Sequence, residues 1–193
     1  MSSYYLMNEK EFIYVLAFLY QYLKKSTKEF INTTFLQKAI FFLSRGFPVL
    51  EKKLVFRPHR FGPHSYKLEE KILDALINEE ILEEKIRSRD KIFFFTEEGK
   101  RLGKEAFNLL TEKEQKVIDW IVNQLIGLTL DELLALVYYT YDDMTVNSEI
   151  KKEIDSKRKK LALSLFQKEK ITFEKASEIA GLSKDELKKI IDN

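Results

Sequence analysis

Between Glu9 and Lys25 apolar residues recur at steps of three and four, at Phe12, Val15, Leu16, Leu19 and Leu23, which predicts an amphipathic first helix. A second helix is expected from about Thr34, with Leu36, Ala39, Ile40 and Leu43 on one face, Gly46 as a left-handed C-cap and Pro48 barring continuation. Leu54 to Pro58 reads as a short extended piece. Gly62-Pro63 reads as a turn that places proline at the first position of a third helix, running to about Asn78 with Leu68, Ile72, Leu76 and Ile77 buried. Ile81-Leu82 and Ile92-Phe93-Phe94-Phe95 then look like two strands joined around Ser88-Arg89-Asp90. With no glycine there, a connection longer than two residues is expected. Three helices followed by a two-stranded ribbon is the order of a winged helix, and the chain resumes as helix at Thr96-Glu97-Glu98.

Downstream, Thr111-x-x-Glu114 and Thr129-x-x-Glu132 are capping boxes. They open apolar-periodic runs lined by Val117, Ile118, Ile121 and Leu125, and by Leu133, Leu134, Leu136 and Val137. Asp142-Asp143-Met144-Thr145 is the expected break, followed by a polar helix from about Asn147 through Lys157-Arg158-Lys159-Lys160 to Lys168. Thr172 to Ala180 and Ser183 to Ile191 predict two short helices around Gly181-Leu182-Ser183, with Ser183-x-x-Glu186 a third capping box. A first helix ending at glycine, a buried aliphatic turn residue and a second helix supplying Leu187 and Ile190 is the spacing of a helix-turn-helix. The fold class expected is therefore mainly α. A winged-helix-like domain with a two-stranded wing spans 1–110, a helical connector packed on it spans 111–150, and a three-helix unit spans 151–193. Residues 9–141 carry their own apolar stripes, with Trp120 expected to report on that packing.

Composition narrows the class. The chain of 193 residues is 45% hydrophobic, enough to bury a core without staples. It has no cysteine, which excludes a disulfide framework, thiolate-bound zinc and thiol catalysis. Charged residues make up 33%, a Lys- and Glu-rich balance of thermophile-like character. The first residues show no basic leader, and Tyr14, Tyr20, Gln21 and Tyr22 interrupt the apolar run after Phe12, so a cytoplasmic protein without a membrane contact is expected. Net charge is only +2, but it is unevenly spread. Residues 1–110 carry 19 Lys+Arg against 15 Asp+Glu, residues 111–150 carry 2 against 8, and residues 151–193 carry 12 against 8. Two basic ends flank an acidic middle, a distribution suited to two polyanion contacts, and equally to an unevenly charged solvated surface.

Three segments resemble a known family. Leu36-Gln37-Lys38-Ala39-Ile40-Phe41-Phe42, Arg60-Phe61-Gly62-Pro63-His64-Ser65-Tyr66-Lys67-Leu68 and Phe95-Thr96-Glu97-Glu98-Gly99-Lys100 are similar to the SocA-like Panacea antitoxin domain and its archaeal relatives, over roughly residues 9–145. Phe61 stands where that family often has tyrosine. Lys175-Ala176-Ser177-Glu178-Ile179-Ala180-Gly181-Leu182-Ser183 resembles the helix-turn-helix of small antitoxin-like proteins, with Ser177 in place of the second of two alanines. Both resemblances imply regulatory proteins that bind DNA, neutralise a toxin partner, or do both, and neither implies an enzyme.

The residues themselves point the same way. There is no Gly-rich phosphate loop, no nucleophile elbow and no compact carboxylate cluster, and Asp142-Asp143 alone is weak evidence for a nuclease centre. His59 and His64, the only histidines, lack a third ligand at metal spacing, so no metal or cofactor is expected. They lie in a basic stretch with Arg57 and Arg60, where contact with phosphate is the functional reading and a solvated loop the plain one. On duplex DNA, His64, Ser65, Lys67 and Lys71 of the third helix would enter the major groove, and Arg87, Arg89 and Lys91 of the wing would follow the backbone. Lys184, Lys188 and Lys189 would serve the C-terminal unit. The Phe93-Phe94-Phe95 run reads as core and packing rather than a base-stacking platform, with strand alternation turning Phe94 away from the other two. The rival reading is an interaction module that binds a toxin, another partner or a second copy of the chain without touching DNA.

Overall fold

The computed structural model describes residues 6–88 and 90–192, and the chain divides into two compact units. It is mainly α-helical with two small sheets. Among the described residues no single helix is long and apolar enough to cross a membrane.

The first unit comprises the residues up to Phe56 and His64–Ile126. Its centre is α1 (Lys10–Lys25), in which Phe12, Val15, Leu16 and Leu19 are buried as the periodicity requires, but so are Tyr14, Ala17, Phe18 and Tyr22. A helix buried all round must be surrounded by other elements. Here those are α3 (Pro48–Leu54), α5 (Glu97–Leu109) and α6 (Glu112–Leu125). Between α1 and α3 run β1 (Phe30–Asn32) and α2 (Thr33–Gly46), whose first turn is capped by the Asn32 side chain accepting from the Phe35 N–H at 2.7 Å. Pro48 ends α2 as expected, and it also opens α3 from the N1 position.

The turn at Gly62-Pro63 differs from the expectation. Arg57–His59 (β2) and Gly62–His64 (β3) form a two-stranded sheet, so Pro63 sits in a strand, and the third helix begins only after Ser65. The Ser65 hydroxyl accepts from the Leu68 N–H at 3.1 Å, a capping bond that strand geometry at Pro63 leaves to the next polar residue. Gly62 has φ of 84°, in the region that favours glycine. The helix opens as a π-helical segment, Leu68–Leu73, and continues as α4 (Asp74–Asn78), burying Leu68, Ile72, Leu73 and Leu76.

The ribbon consists of β4 (Leu82–Arg87) and β5 (Asp90–Phe95), and β1 adds a third strand, in the order β1-β5-β4, all antiparallel. Arg87 pairs directly with Asp90, so the strands close on a two-residue connection. The expectation of a longer connection fails because Ser88 adopts a φ of 51° without being glycine. After β5 the Thr96 hydroxyl caps α5 by accepting from Gly99 N–H at 3.0 Å. Gly99 passes so close to the Ile81 carbonyl that a Cβ would lie 2.2 Å from that oxygen. The threonine-glutamate-x-glycine motif thus joins helix cap to strand.

The second unit comprises Arg57–Pro63 and Gly127–Asn193. The division falls at Gly127, whose φ is 77°, and not near residue 150. The expected connector is therefore split. Its first helix, α6, packs on α1 and α2, whereas its second, α7 (Leu130–Tyr138), packs on α8 (Lys151–Gln167) and on the 3-10 turn Asp142–Thr145. The segment from Arg57 to Pro63 joins this unit through the Glu149 N–H, which donates to the Arg60 carbonyl at 2.9 Å. All three capping boxes form as the spacing predicts. Trp120 on α6 is 64% exposed, so it does not report on the core, and Val117 and Ile121 of that helix lie against Gly46 instead.

Candidate nucleic-acid interface

In the second unit α9 (Phe173–Ala180) ends at Gly181, which takes a φ of 66°, and α10 (Lys184–Ile191) starts three residues later. Leu187 is fully buried and is the one α10 residue in that class. The turn is closed from behind by Arg158 of α8, which donates to the carbonyls of Ile179 at 2.6 Å and Glu178 at 3.1 Å while stacking on Tyr139 at 4.6 Å. These bonds satisfy the carbonyls that end α9. They turn Arg158, in the middle of the basic sequence Lys157 to Lys160, toward the helix-turn-helix. Lys184, Lys188 and Lys189 are exposed on α10, and Lys184 pairs with Glu174 at 3.0 Å. Ser183, by its hydroxyl and N–H, holds the Glu186 carboxyl below its ordinary range, and the nearby charges of Lys159 and Lys189 add to the effect. Lys159 therefore belongs to the same electrostatic neighbourhood, although it is not among the contact residues expected from sequence.

In the first unit the expected contact residues are dispersed. Ser65 is fully buried, its hydroxyl donating to the Leu54 carbonyl and its backbone bound to Gln37, so it cannot meet DNA. His64 is also buried, edge-on to Tyr66 at 4.7 Å, with its Nε2 3.4 Å from Glu69. Both misassignments have one cause, the strand at 62–64, which turns these side chains inward. Lys67 is exposed. Lys71 is exposed too, but binds Glu9 at 3.1 Å and the buried Glu11 at 3.3 Å. Burial pushes the Glu11 carboxyl up, yet a backbone hydrogen bond and the ammonium groups of Lys71 and Lys53 outweigh that and leave it below its ordinary value. The carboxylates in turn raise the Lys71 ammonium. On the wing Arg87 is exposed over the Phe30 ring at 5.6 Å, Lys91 pairs with Glu84 at 3.1 Å, and Arg89 lies outside the described residues. In the second unit, Arg57 is exposed and Arg60 pairs with Glu149 at 2.9 Å.

Between the third helix and the wing lies a cleft of about 240 Å³ whose charged lining is Glu69, Glu70, Asp74 and Glu84 against the single Lys91. Phosphate would be repelled there. Among the described residues, no group of three His, Asp or Glu side chains could hold a metal ion. A buried charge that the sequence reading missed stands close by: Lys38 on α2 is 3% exposed, and burial pushes its ammonium down to about 7, with Glu69 opposing the shift. Neither a protein-family model nor a curated protein matches the chain.

Proposed function

We propose that this chain is a DNA-binding regulatory protein of antitoxin-like character, without catalysis or cofactor, that contacts duplex DNA through the helix-turn-helix of its second unit. The observation that carries this is α10, anchored by Leu187 and otherwise presenting Lys184, Lys188 and Lys189 to solvent, with Lys159 beside it. Asp185 and Glu186 occupy its first turn, where they suit the helix dipole, so phosphate contacts come from the middle and end of the helix. Duplex binding at low salt should weaken steeply as salt rises, and changing Lys184, Lys188 and Lys189 to alanine should abolish most of it and flatten the salt dependence. Equal binding by that variant and the parent would overturn the reading.

A second activity is favoured by the acidic cleft. The succession α1, β1, α2, third helix, β4 and β5, interrupted by α3, β2 and β3 after α2 and with β1 paired to β5, supports reading the first unit as winged-helix-like. In such a unit the helix and wing bounding this cleft would face DNA, and the carboxylates there suit a basic protein segment better. We therefore assign the first unit to a protein partner, a toxin in the antitoxin reading. Replacing Arg87 and Lys91 with alanine should then leave duplex binding unchanged while the α10 variant loses it. Loss in the wing variant would return the first unit to DNA.

A further inference from the structure

The three-stranded sheet has two faces that line different clefts. In antiparallel strands, residues directly opposite one another, and residues two apart along a strand, share a face. The register Phe30↔Phe94↔Glu83 and Asn32↔Ile92↔Lys85, with Arg87 opposite Asp90, places Phe30, Phe94, Lys85 and Arg87 on one face, interleaved with the carboxylates of Glu83 and Asp90. Phe93, Lys91 and Glu84 are on the other, toward the acidic cleft.

On the first of these faces the Phe30 and Phe94 rings are half-buried, with centroids 5.7 Å apart. The Lys85 ammonium stands 4.9 Å from the Phe94 centroid and the Arg87 guanidinium 5.6 Å from that of Phe30. Beside Phe94 opens a groove of about 370 Å³, lined among others by Tyr20, Lys24, Glu29, Phe95 and Lys100. Lys24 lies 5.7 Å over the Tyr20 ring. Rings and cations therefore alternate from the wing to α1 and α5.

We infer that this face and groove bind single-stranded nucleic acid, with unpaired bases stacking on Phe94, Phe30 and Tyr20 and the phosphates following Lys24, Lys85, Arg87 and Lys100. The rings decide between ligands. A duplex keeps its base faces inside the helix and offers them nothing, and an acidic peptide would engage the lysines without using the ring faces. Each unpaired base has a π-face, so a stacking platform is tolerant of sequence. Lys85 pairs with Glu83 at 3.1 Å and Lys100 with Glu97 at 2.6 Å, but such exposed pairs are weak and exchange readily for phosphate. This inference is independent of α10, and of the protein partner assigned to the opposite face of the sheet.

The test uses the full chain carrying Lys184→Ala, Lys188→Ala and Lys189→Ala, so that α10 contributes nothing, with fluorescent twelve-nucleotide oligo-dT and oligo-U as probes. At least one should bind in preference to a duplex of the same length. Phe94→Leu, which keeps apolar bulk and removes the ring, should weaken binding about tenfold. Arg87→Glu, at an exposed site where folding is undisturbed, should weaken it further and flatten its salt dependence. Unchanged binding in the Arg87→Glu protein, duplex competing as well as single strand, or binding of polyglutamate but of neither oligonucleotide would each overturn the inference.

Discussion

Gln37 and Ser65 hold each other by a reciprocal pair of hydrogen bonds. The Gln37 Nε2 donates to the Ser65 carbonyl at 3.1 Å, and its Oε1 accepts from the Ser65 N–H at 3.0 Å. Both residues are buried. A side-chain amide thus does for one residue what a neighbouring strand would do, and it ties α2 to the point where the third helix starts. Two of the three segments that carry the antitoxin-domain resemblance meet in this contact.

Replacing Gln37 with leucine keeps the volume and removes both bonds. It leaves the Ser65 N–H buried without its partner, at a cost of about 1–3 kcal/mol, whereas the Ser65 carbonyl keeps the Glu69 N–H at 3.5 Å. Urea denaturation of the Gln37→Leu protein should show that loss. A change below about 1 kcal/mol would mean that Ser65 finds other partners.

Gly99→Ala tests the second join. Its Cβ would meet the Ile81 carbonyl oxygen at 2.2 Å, and backbone cannot swing aside as a long side chain can. The strand end and the start of α5 must then separate, also weakening the Thr96 N–H bond to Ile81 at 3.2 Å. The expected cost is about 1–3 kcal/mol, although alanine favours helix more than glycine does. A stabilised Gly99→Ala protein would refute the close approach.

What could be read from sequence follows the range of the interactions. The Thr111, Thr129 and Ser183 capping boxes are three-residue signals, and all three form. β1 is three residues long and has no periodicity of its own. It exists because Phe30 to Asn32 pair with Ile92 to Phe94, some sixty positions away. The inward turn of His64 and Ser65 depends likewise on pairing with Arg57–His59 and on Gln37. Lys38 escaped because a lysine on an amphipathic pattern reads as the wet face, whereas α2 buries residues around most of its circumference. On α10 the exposure of Lys184, Lys188 and Lys189 was legible, but Ile190, expected in the core beside Leu187, is 43% exposed because the helix is covered at Leu187 alone.

Lys38 gives a pH dependence with a definite sign. Burial lowers its pKa from 10.5 to about 7, so between those values the unfolded chain holds a proton that the folded chain releases. Its contribution to stability therefore rises with pH across that window, and the full penalty of burying the charge is present below pH about 7. Lys38→Met removes the penalty. The variant should exceed the parent in stability by a few kcal/mol at pH 6, with the difference shrinking steadily toward pH 10. Denaturant titrations of both proteins at pH 6, 8 and 10 would show it, and a constant difference would rule out titration of this residue.

The last prediction concerns where the chain can be cut. From sequence the boundary falls near residue 150, after a break at Asp142–Thr145, but α7 packs on α8, which begins at Lys151, and Leu133, Leu134 and Val137 of α7 are buried. A fragment ending at Asp143 keeps α7 and discards the helix that covers it, leaving an apolar face in water. A fragment ending at Gly127 keeps α1 to α6 and stops where positive φ already breaks the chain. The shorter fragment should unfold cooperatively and stay monomeric. The longer one should aggregate, or be trimmed by protease back to about residue 127, because exposed helices without a packed face are marginal in water. Size-exclusion chromatography and limited proteolysis of the two fragments decide this. If the fragment ending at Asp143 resists protease through Tyr138, α7 draws its stability from the first unit, and the division at Gly127 is wrong.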